Sequence, residues 1–341
     1  MNQQWNPQLI ANDERTRALV DWLQVASPAP IAGLVPMTAD ASFRRYFRLL
    51  TDVGSYVVMD APPLQEDVSR FIHLARFLSE RGLNAPHIYA ENVQAGFLIL
   101  SDFGDLTYLN AFKTNAPTPL YENALKVLAI LHRCHDTPPF ALPHFTHDFM
   151  QSEWLLHQQW FLQGLLTLQD HDSALDHVYD LLVENALLQP QVFMYRDFHA
   201  GNLMLLPDGK VGLLDFQDAL IGPLTYDLAS LLRDCYVDWP ATDVSKWALF
   251  YYDLLQQQGE LQDVSAIQFL RWFDWMGIQR HLKALLTFAR KTVRDKEARY
   301  LAFVPRTLNY IVTVSRKYDE LLPMTRFYSD QVLPLFMRKF T

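Results

Sequence analysis

VFMYRDFHAGNLMLLPDGKVGLLDFQDALIGPLTYDLASLL, residues 192–232, reads as a strand, a polar loop, two short apolar strands joined by the turn Pro207-Asp208-Gly209, a second acidic turn and a helix. Two loops of carboxylates and amides are thereby held on one small β scaffold. In the first loop Asp197 and Asn202 stand five apart; in the second, Asp215 opens the turn after the apolar run Val211-Leu214, and Asp227 lies on the helix that follows. Taken singly, Asp197 and Asp215 read as loop acids capping turns, a common use of Asp. Taken with Arg196, Asn202, the hairpin spacing and Asp227, they form a pattern with chemical content.

The separation of Asp197 and Asn202 resembles the catalytic-loop pattern R-D-x-x-x-x-N of eukaryotic-type kinases, and Asp215 stands where that pattern places its metal-binding Asp. The order Asp215, Phe216, Gly222, Pro223, Tyr226, Asp227, Leu228, Ala229 resembles the aminoglycoside phosphotransferase and choline kinase-like branch of that fold. Four further phrases, DASFRRYFRL (40–49), YVVMDAPP (56–63), SDFGDLTYL (101–109) and GIQRHLKALLTFAR (277–290), are similar to the N-acetylmuramate/N-acetylglucosamine anomeric kinases of bacterial cell-wall sugar salvage. The likeness spans nearly the whole chain. The catalytic motifs specify the superfamily, and the flanking phrases carry the narrower assignment.

The resemblance implies an α+β, protein-kinase-like two-lobe fold, with a small β-rich N-lobe over 1–103 and a larger, mostly helical C-lobe over 104–341. It implies transfer of the γ-phosphoryl of ATP, with Mg²⁺, onto the anomeric hydroxyl of a small-molecule amino sugar. Phosphoryl transfer needs a base on the attacking hydroxyl and hard oxygen ligands for Mg²⁺. Asp197 takes the first role, Asn202 and Asp215 the second. Because Mg²⁺ keeps several waters, one Asn and one Asp are a sufficient protein set. Asp227 is expected to brace the catalytic loop through backbone hydrogen bonds. Two rivals stay open: an aminoglycoside or amino-alcohol phosphotransferase, and a non-catalytic nucleotide-binding regulatory module. The second draws on the absence of glycine from the turn Thr38-Ser42, which should cover the phosphates, and of any lysine before Lys113. Against it, a module released from catalysis has no chemical need for Asp197.

Composition agrees with this reading. At 341 residues, half of them apolar, the chain can bury a large core and is expected to divide into two lobes. A net charge of −9 with 20% charged residues argues against nucleic-acid binding through a basic surface. The N-terminal stretch lacks a basic n-region and apolar h-region, and no run of eighteen apolar residues occurs, so neither a leader nor a membrane span is expected. The two cysteines, Cys134 and Cys235, sit in helical patterns and fit reduced buried thiols of a cytoplasmic protein. No obligate protein partner is implied.

Outward from the central segment, Glu14-Leu23 reads as a short amphipathic helix, and strand patterns follow at 34–38, 43–50 and 56–60. The third strand offers Val58-Met59-Asp60 where a kinase has lysine, so any N-lobe cation for the nucleotide must be an arginine. Arg44, Arg45 and Arg48 are the candidates, with a solvated strand face as the alternative reading. Val68-Leu78 is the expected C-helix, and Glu66 and Asp67 before it either pair with an arginine or serve its first turn. Ser101-Asp105 reads as the hinge whose backbone meets adenine, with Ser101 and Phe103 as candidate nucleotide contacts. The stripe Trp154, His157, Trp160, Phe161 is read as core or as a sugar-stacking face. Helices are expected over 120–134, 149–168, 245–258, 264–290 and 300–322. The fourth carries Trp272, Asp274, Arg280, His281 and Lys283 as acceptor-binding candidates or as a salt-bridged surface.

Overall fold

The computed structural model describes residues 13–37, 43–134, 140–168 and 173–340. The turn 38–42 lies outside the described residues. The elements run α1 (Glu14–Ala26), β1 (Ile31–Pro36), β2 (Arg45–Thr51), β3 (Gly54–Asp60), α2 (Val68–Glu80), β4 (Ile88–Asn92), β5 (Phe97–Ser101), α3 (Tyr108–Ala111), α4 (Pro117–His132), α5 (His147–His157), α6 (Ala174–Leu187), β6 (Gln191–Met194), β7 (Leu203–Leu205), β8 (Val211–Leu213) and β9 (Leu220–Pro223). They continue through α7 (Tyr226–Leu232), α8 (Ala241–Gln257), α9 (Ala266–Val293), α10 (Val304–Ser315), α11 (Leu322–Arg326) and α12 (Leu333–Phe340). The protein is thus a mixed α+β chain, with an antiparallel sheet at its start and a mostly helical remainder. It divides into two compact units: Met1–Leu106 with Met204–Gln217, and Thr107–Leu203 with Asp218–Thr341.

In the first unit five strands run antiparallel in the order β1-β2-β3-β5-β4. The alternation expected over 43–50 puts Phe47 and Leu49 in a core with Val58, Phe97 and Ile99, covered by Leu19 and Leu23 of α1. Burying those two leucines alone contributes about 1.5–3 kcal/mol each. Asp13 caps α1 by accepting from the Arg15 N–H at 3.1 Å, and Asp67 caps α2 by accepting from the Ser69 N–H at 2.9 Å. The hairpin turn around β8 joins this unit through Asn84, whose amide donates to the Val211 carbonyl at 3.0 Å and whose own carbonyl accepts from Leu213. Gly212 is required there: a Cβ would come within 2.9 Å of the Phe103 ring.

The second unit is helical apart from the β6–β9 pair, in register Val192 opposite Gly222. The segment 220–223 falls between the acidic turn and the helix expected from the sequence. It forms a strand because a Cβ at Gly222 would sit 2.5 Å from Met194 Sδ, so glycine permits the close pairing. The helix expected over 149–168 becomes α5 followed by a π-helical stretch, Gln158–Leu165. The single helix expected over 300–322 is broken: a 3₁₀ turn at Ala298–Phe303 precedes α10, and a second at Asp319–Leu321 precedes α11. Pro305 and Pro323 explain both breaks, since proline fits only the first turn of a helix. Among the described residues no helix is long and apolar enough to cross a membrane.

Candidate active site

The first unit holds the acidic turn and the arginines. Asp215 follows β8 with φ +66°, a left-handed conformation that a non-glycine residue adopts at a cost of about 1–3 kcal/mol. Gln217 holds it there by donating to Oδ1 at 2.5 Å, and the buried Phe216 stacks on Phe71 of α2 with ring centroids 4.9 Å apart. The three arginines part company. Arg45 lies between Asp13 and the fully buried Asp60, to which its Nε donates at 2.8 Å. Arg48 donates to Asp102 at 2.7 Å and to Asp105 at 2.8 Å, so it ties β2 to the segment after β5. Arg44 pairs with Glu66 at 2.7 Å, with both side chains mostly shielded. The Tyr46 hydroxyl lies among Arg44, Asp215 and Glu66, and burial pushes its pKa up. Of the three, Arg44 is therefore the one set in the neighbourhood of the acidic turn.

The segment after β5 is built by hydrogen bonds of its own. The Ser101 N–H donates to the His87 carbonyl and its hydroxyl accepts from the His87 N–H, so Ser101 serves the sheet. Burial opposes ionisation of Asp102, but donors from Ser55, Gly104 and Arg48 outweigh it and hold its carboxyl below the usual range. The Phe103 ring packs on Gly212.

The second unit holds the catalytic loop. Arg196 takes φ +81°. Asp227, wholly buried on α7, accepts from the Tyr195 N–H at 2.6 Å and the Arg196 N–H at 2.9 Å, which is the brace expected of it. A second brace was not legible in sequence: Asp234 accepts from the Ala200 N–H at 3.1 Å and from the Tyr236 N–H at 2.9 Å. Within the loop, the Asn202 amide nitrogen donates to the Asp197 carbonyl at 3.1 Å, which turns its side-chain oxygen to the other side. An oxygen donor so presented, like the carboxylate of Asp215, has the hard chemistry that Mg²⁺ takes.

Asp197 is held by a residue from a distant helix. Lys283 of α9 places Nζ 3.2 Å from its Oδ1. Burial alone would raise the Asp197 pKa, but Lys283, Arg280, His199 and Arg196 outweigh it and hold the carboxyl well below the usual range. Behind them Glu153 of α5 accepts from Gln279 at 3.2 Å, and its burial raises its own pKa. The other acceptor candidates on α9 serve the interior. Asp274 pairs with Arg233 and also accepts from Lys317 at 3.1 Å and the Tyr318 hydroxyl at 2.9 Å. His281 stacks on Tyr310 at 4.8 Å with one ring nitrogen 3.0 Å from the Arg233 carbonyl, while Trp272 is buried. Three of the four stripe residues are likewise core, since Trp154 stacks on Tyr179 at 4.8 Å, His157 is fully buried against Tyr328 and Phe161 is buried, whereas Trp160 keeps partial exposure. A helix advances 100° per residue, so only Lys283 of this set reaches the loop, and composition alone could not single it out.

Residues 33–270 match the model of the phosphotransferase enzyme family. The N-acetylmuramate/N-acetylglucosamine kinase of Pseudomonas aeruginosa is 38% identical over 325 residues, covering 92% of this chain and 95% of that one. Among solved structures, an ethanolamine kinase of Plasmodium vivax superposes with a TM-score of 0.62 at 12% identity, over 91% of this chain and 89% of its own. An aminoglycoside phosphotransferase solved with streptomycin and ATP does so with 0.52 at 19%, over 79% and 89%. Those two likenesses speak for the fold, the first for the lineage. By the family match across most of its length, together with the catalytic-loop spacing and its braces, the chain belongs to the phosphotransferase enzyme family.

Proposed function

We propose that the protein is an ATP-dependent kinase that phosphorylates the anomeric hydroxyl of N-acetylmuramate or N-acetylglucosamine, giving the sugar 1-phosphate in cell-wall sugar salvage. The likeness to the Pseudomonas aeruginosa enzyme along 92% of the chain is the observation that carries the choice of acceptor. Function does not follow from fold, so the ethanolamine and aminoglycoside enzymes count for architecture only.

In this reading Asp197 accepts the proton of the acceptor hydroxyl. The acceptor oxygen forms its bond to the γ-phosphorus as the bond to the β,γ-bridging oxygen breaks, and that electron pair leaves on ADP. An anomeric hydroxyl is more acidic than an ordinary alcohol, which eases the work asked of Asp197. Asn202 and Asp215 are the residues that would hold Mg²⁺, which neutralises charge on the phosphates when bound. Arg44, paired with Glu66, is the best placed substitute for the missing lysine, in an arrangement comparable to the lysine–glutamate pair of protein kinases. For adenine, the backbone of Phe103 is the candidate, because no described residue hydrogen-bonds to it, whereas the Ser101 amide is already used. The first unit would serve the nucleotide and the second the acceptor, in the cytoplasm and without an obligate protein partner.

The test is ATP consumption by purified protein with Mg²⁺ against N-acetylmuramate, N-acetylglucosamine, an aminoglycoside, choline and no acceptor. Turnover with the amino sugars, giving an acid-labile product with a blocked reducing end, is the expected result. Turnover with the aminoglycoside or choline alone would overturn the proposed acceptor.

A further inference from the structure

We propose that Lys283 is a positioning residue for Asp197: its ammonium clamps one carboxylate oxygen so that the other is presented to the acceptor hydroxyl. The inference rests on the proposed function in one respect, that Asp197 accepts from the acceptor.

The two oxygens of Asp197 are not equivalent. Oδ1 accepts from Lys283 at 3.2 Å, and Oδ2 has no hydrogen-bond partner among the described residues. The pair is partly shielded, with 16% of the Lys283 side chain and 24% of the Asp197 side chain exposed. That is dry enough to give the contact more weight than a surface pair, and open enough for a ligand to reach Oδ2. The loop backbone is already fixed, by Asp227 under Tyr195 and Arg196 and by Asp234 under Ala200. What those braces leave undetermined is rotation of the Asp197 side chain itself, and Lys283 is the group that removes it.

The clamp comes from outside the loop. Lys283 sits well inside α9, whose neighbouring positions Gly277, Ile278, Gln279, Arg280, His281 and Leu282 are all buried, so its stem starts from a rigid base. Arg280, one turn earlier, donates to the Ser230 hydroxyl at 3.3 Å and adds positive field without touching the carboxylate. Four methylenes and a compact ammonium reach one oxygen of a carboxylate and leave its partner alone. A guanidinium would tend to fork across both. A lysine is thus the residue type suited to dividing the roles of Oδ1 and Oδ2.

The experiment compares K283M, K283C, D197N and the double variant K283M/D197N, using the acceptor that gives turnover and Mg²⁺-ATP. Losing a partner that orients a reacting group costs about 10–100-fold. K283M should lower kcat on that scale, with the KM for ATP and for the acceptor each within about threefold of the parent. Aminoethylation of K283C with 2-bromoethylamine rebuilds an ammonium at the same reach and should restore most of kcat; the native Cys134 and Cys235 are buried and spared. In the D197N background, K283M should cost less than about twofold more, because a clamp acts only through the group it holds. Crystal structures of parent and K283M, without acceptor, should show the Asp197 carboxylate turned in the variant.

Unchanged kcat in K283M, or an unchanged Asp197 rotamer in its crystal structure, would overturn the clamp. So would a loss that appears in the acceptor KM, or one that persists in full without the Asp197 carboxylate; both would mean that Lys283 touches the acceptor directly. The crystallographic comparison needs no acceptor, so failure of the amino sugars as substrates removes the proposed function and leaves the clamp decided on its own.

Discussion

Replacing Asp227 with Asn tests how the catalytic loop is held. The carboxylate accepts two buried N–H bonds, from Tyr195 at 2.6 Å and Arg196 at 2.9 Å, on a residue with no exposure at all. An amide keeps one acceptor oxygen and sets an NH₂ group against the other N–H. Losing one charge-assisted bond and stranding a buried donor costs about 2–4 kcal/mol. Arg196 adds to this, because its φ of +81° is a conformation that persists only while its surroundings enforce it. If about 2 kcal/mol of the loss falls on the loop, the ratio of competent to incompetent loop falls roughly 30-fold, and kcat should fall by up to that factor. Because Asp215 and Arg44 belong to the other unit while Asn202 lies in the loop itself, the KM for ATP should rise by less than kcat falls. Urea unfolding followed by tryptophan fluorescence, beside steady-state kinetics, reads both quantities. A D227N protein with kcat within about twofold of the parent and an unmoved unfolding midpoint would refute the idea that these two bonds hold the loop.

Asp197→Asn should remove about 10²-fold or more of turnover while leaving nucleotide binding nearly intact, whereas Asp215→Ala should also lose Mg²⁺-dependent nucleotide binding; equal and mild effects in calorimetry and kinetics would contradict the two roles. Arg44→Ala should weaken ATP and slow turnover by about 10²-fold, and Arg48→Ala, whose partners are Asp102 and Asp105, should leave ATP kinetics within about threefold; the reverse ranking would move the phosphate cation elsewhere. His281 is held neutral by burial, its pKa pushed down to about 3 from an ordinary 6.5. The unfolded chain therefore binds the extra proton first, and stability falls as pH drops below about 6.5. This one residue accounts for about 2 kcal/mol by pH 5, a slope that H281Q should lack in denaturant titrations at pH 7 and pH 5.

Much of this was legible in the residues. The strand pattern over 43–50 is legible because one face of that strand is buried, and α2 is legible because Phe71, Ile72, Ala75 and Leu78 recur at helical spacing on its buried side. Asp227 was legible as a brace for the same reason that Asp197 and Asn202 were legible as a pair: fixed spacing in a short segment. Partners that come from far along the chain left no such mark. Nothing in the spacing says that Lys283 meets Asp197, that Arg44 rather than Arg48 meets an acid beside α2, or that Asp234 holds Ala200. The acceptor candidates on α9 divided for a geometric reason: Asp274 and His281 point into the helical core, and residue type alone cannot distinguish that from a binding face.

The hairpin around β8 belongs to the first unit although its residues, 204–217, are made after much of the second. A ribosome adds about 5–20 residues per second, so Asn84 and Phe103 wait several seconds or longer for Val211 and Gly212. During that interval the sheet exists as a nascent chain without its last piece, and the buried face awaiting the hairpin is a place for a chaperone to act. A gene cut after residue 106 would make that interval permanent. The two units can therefore be neither expressed as consecutive fragments nor exchanged between relatives by a single crossover, and vectorial synthesis ties the completion of the first to the middle of the second.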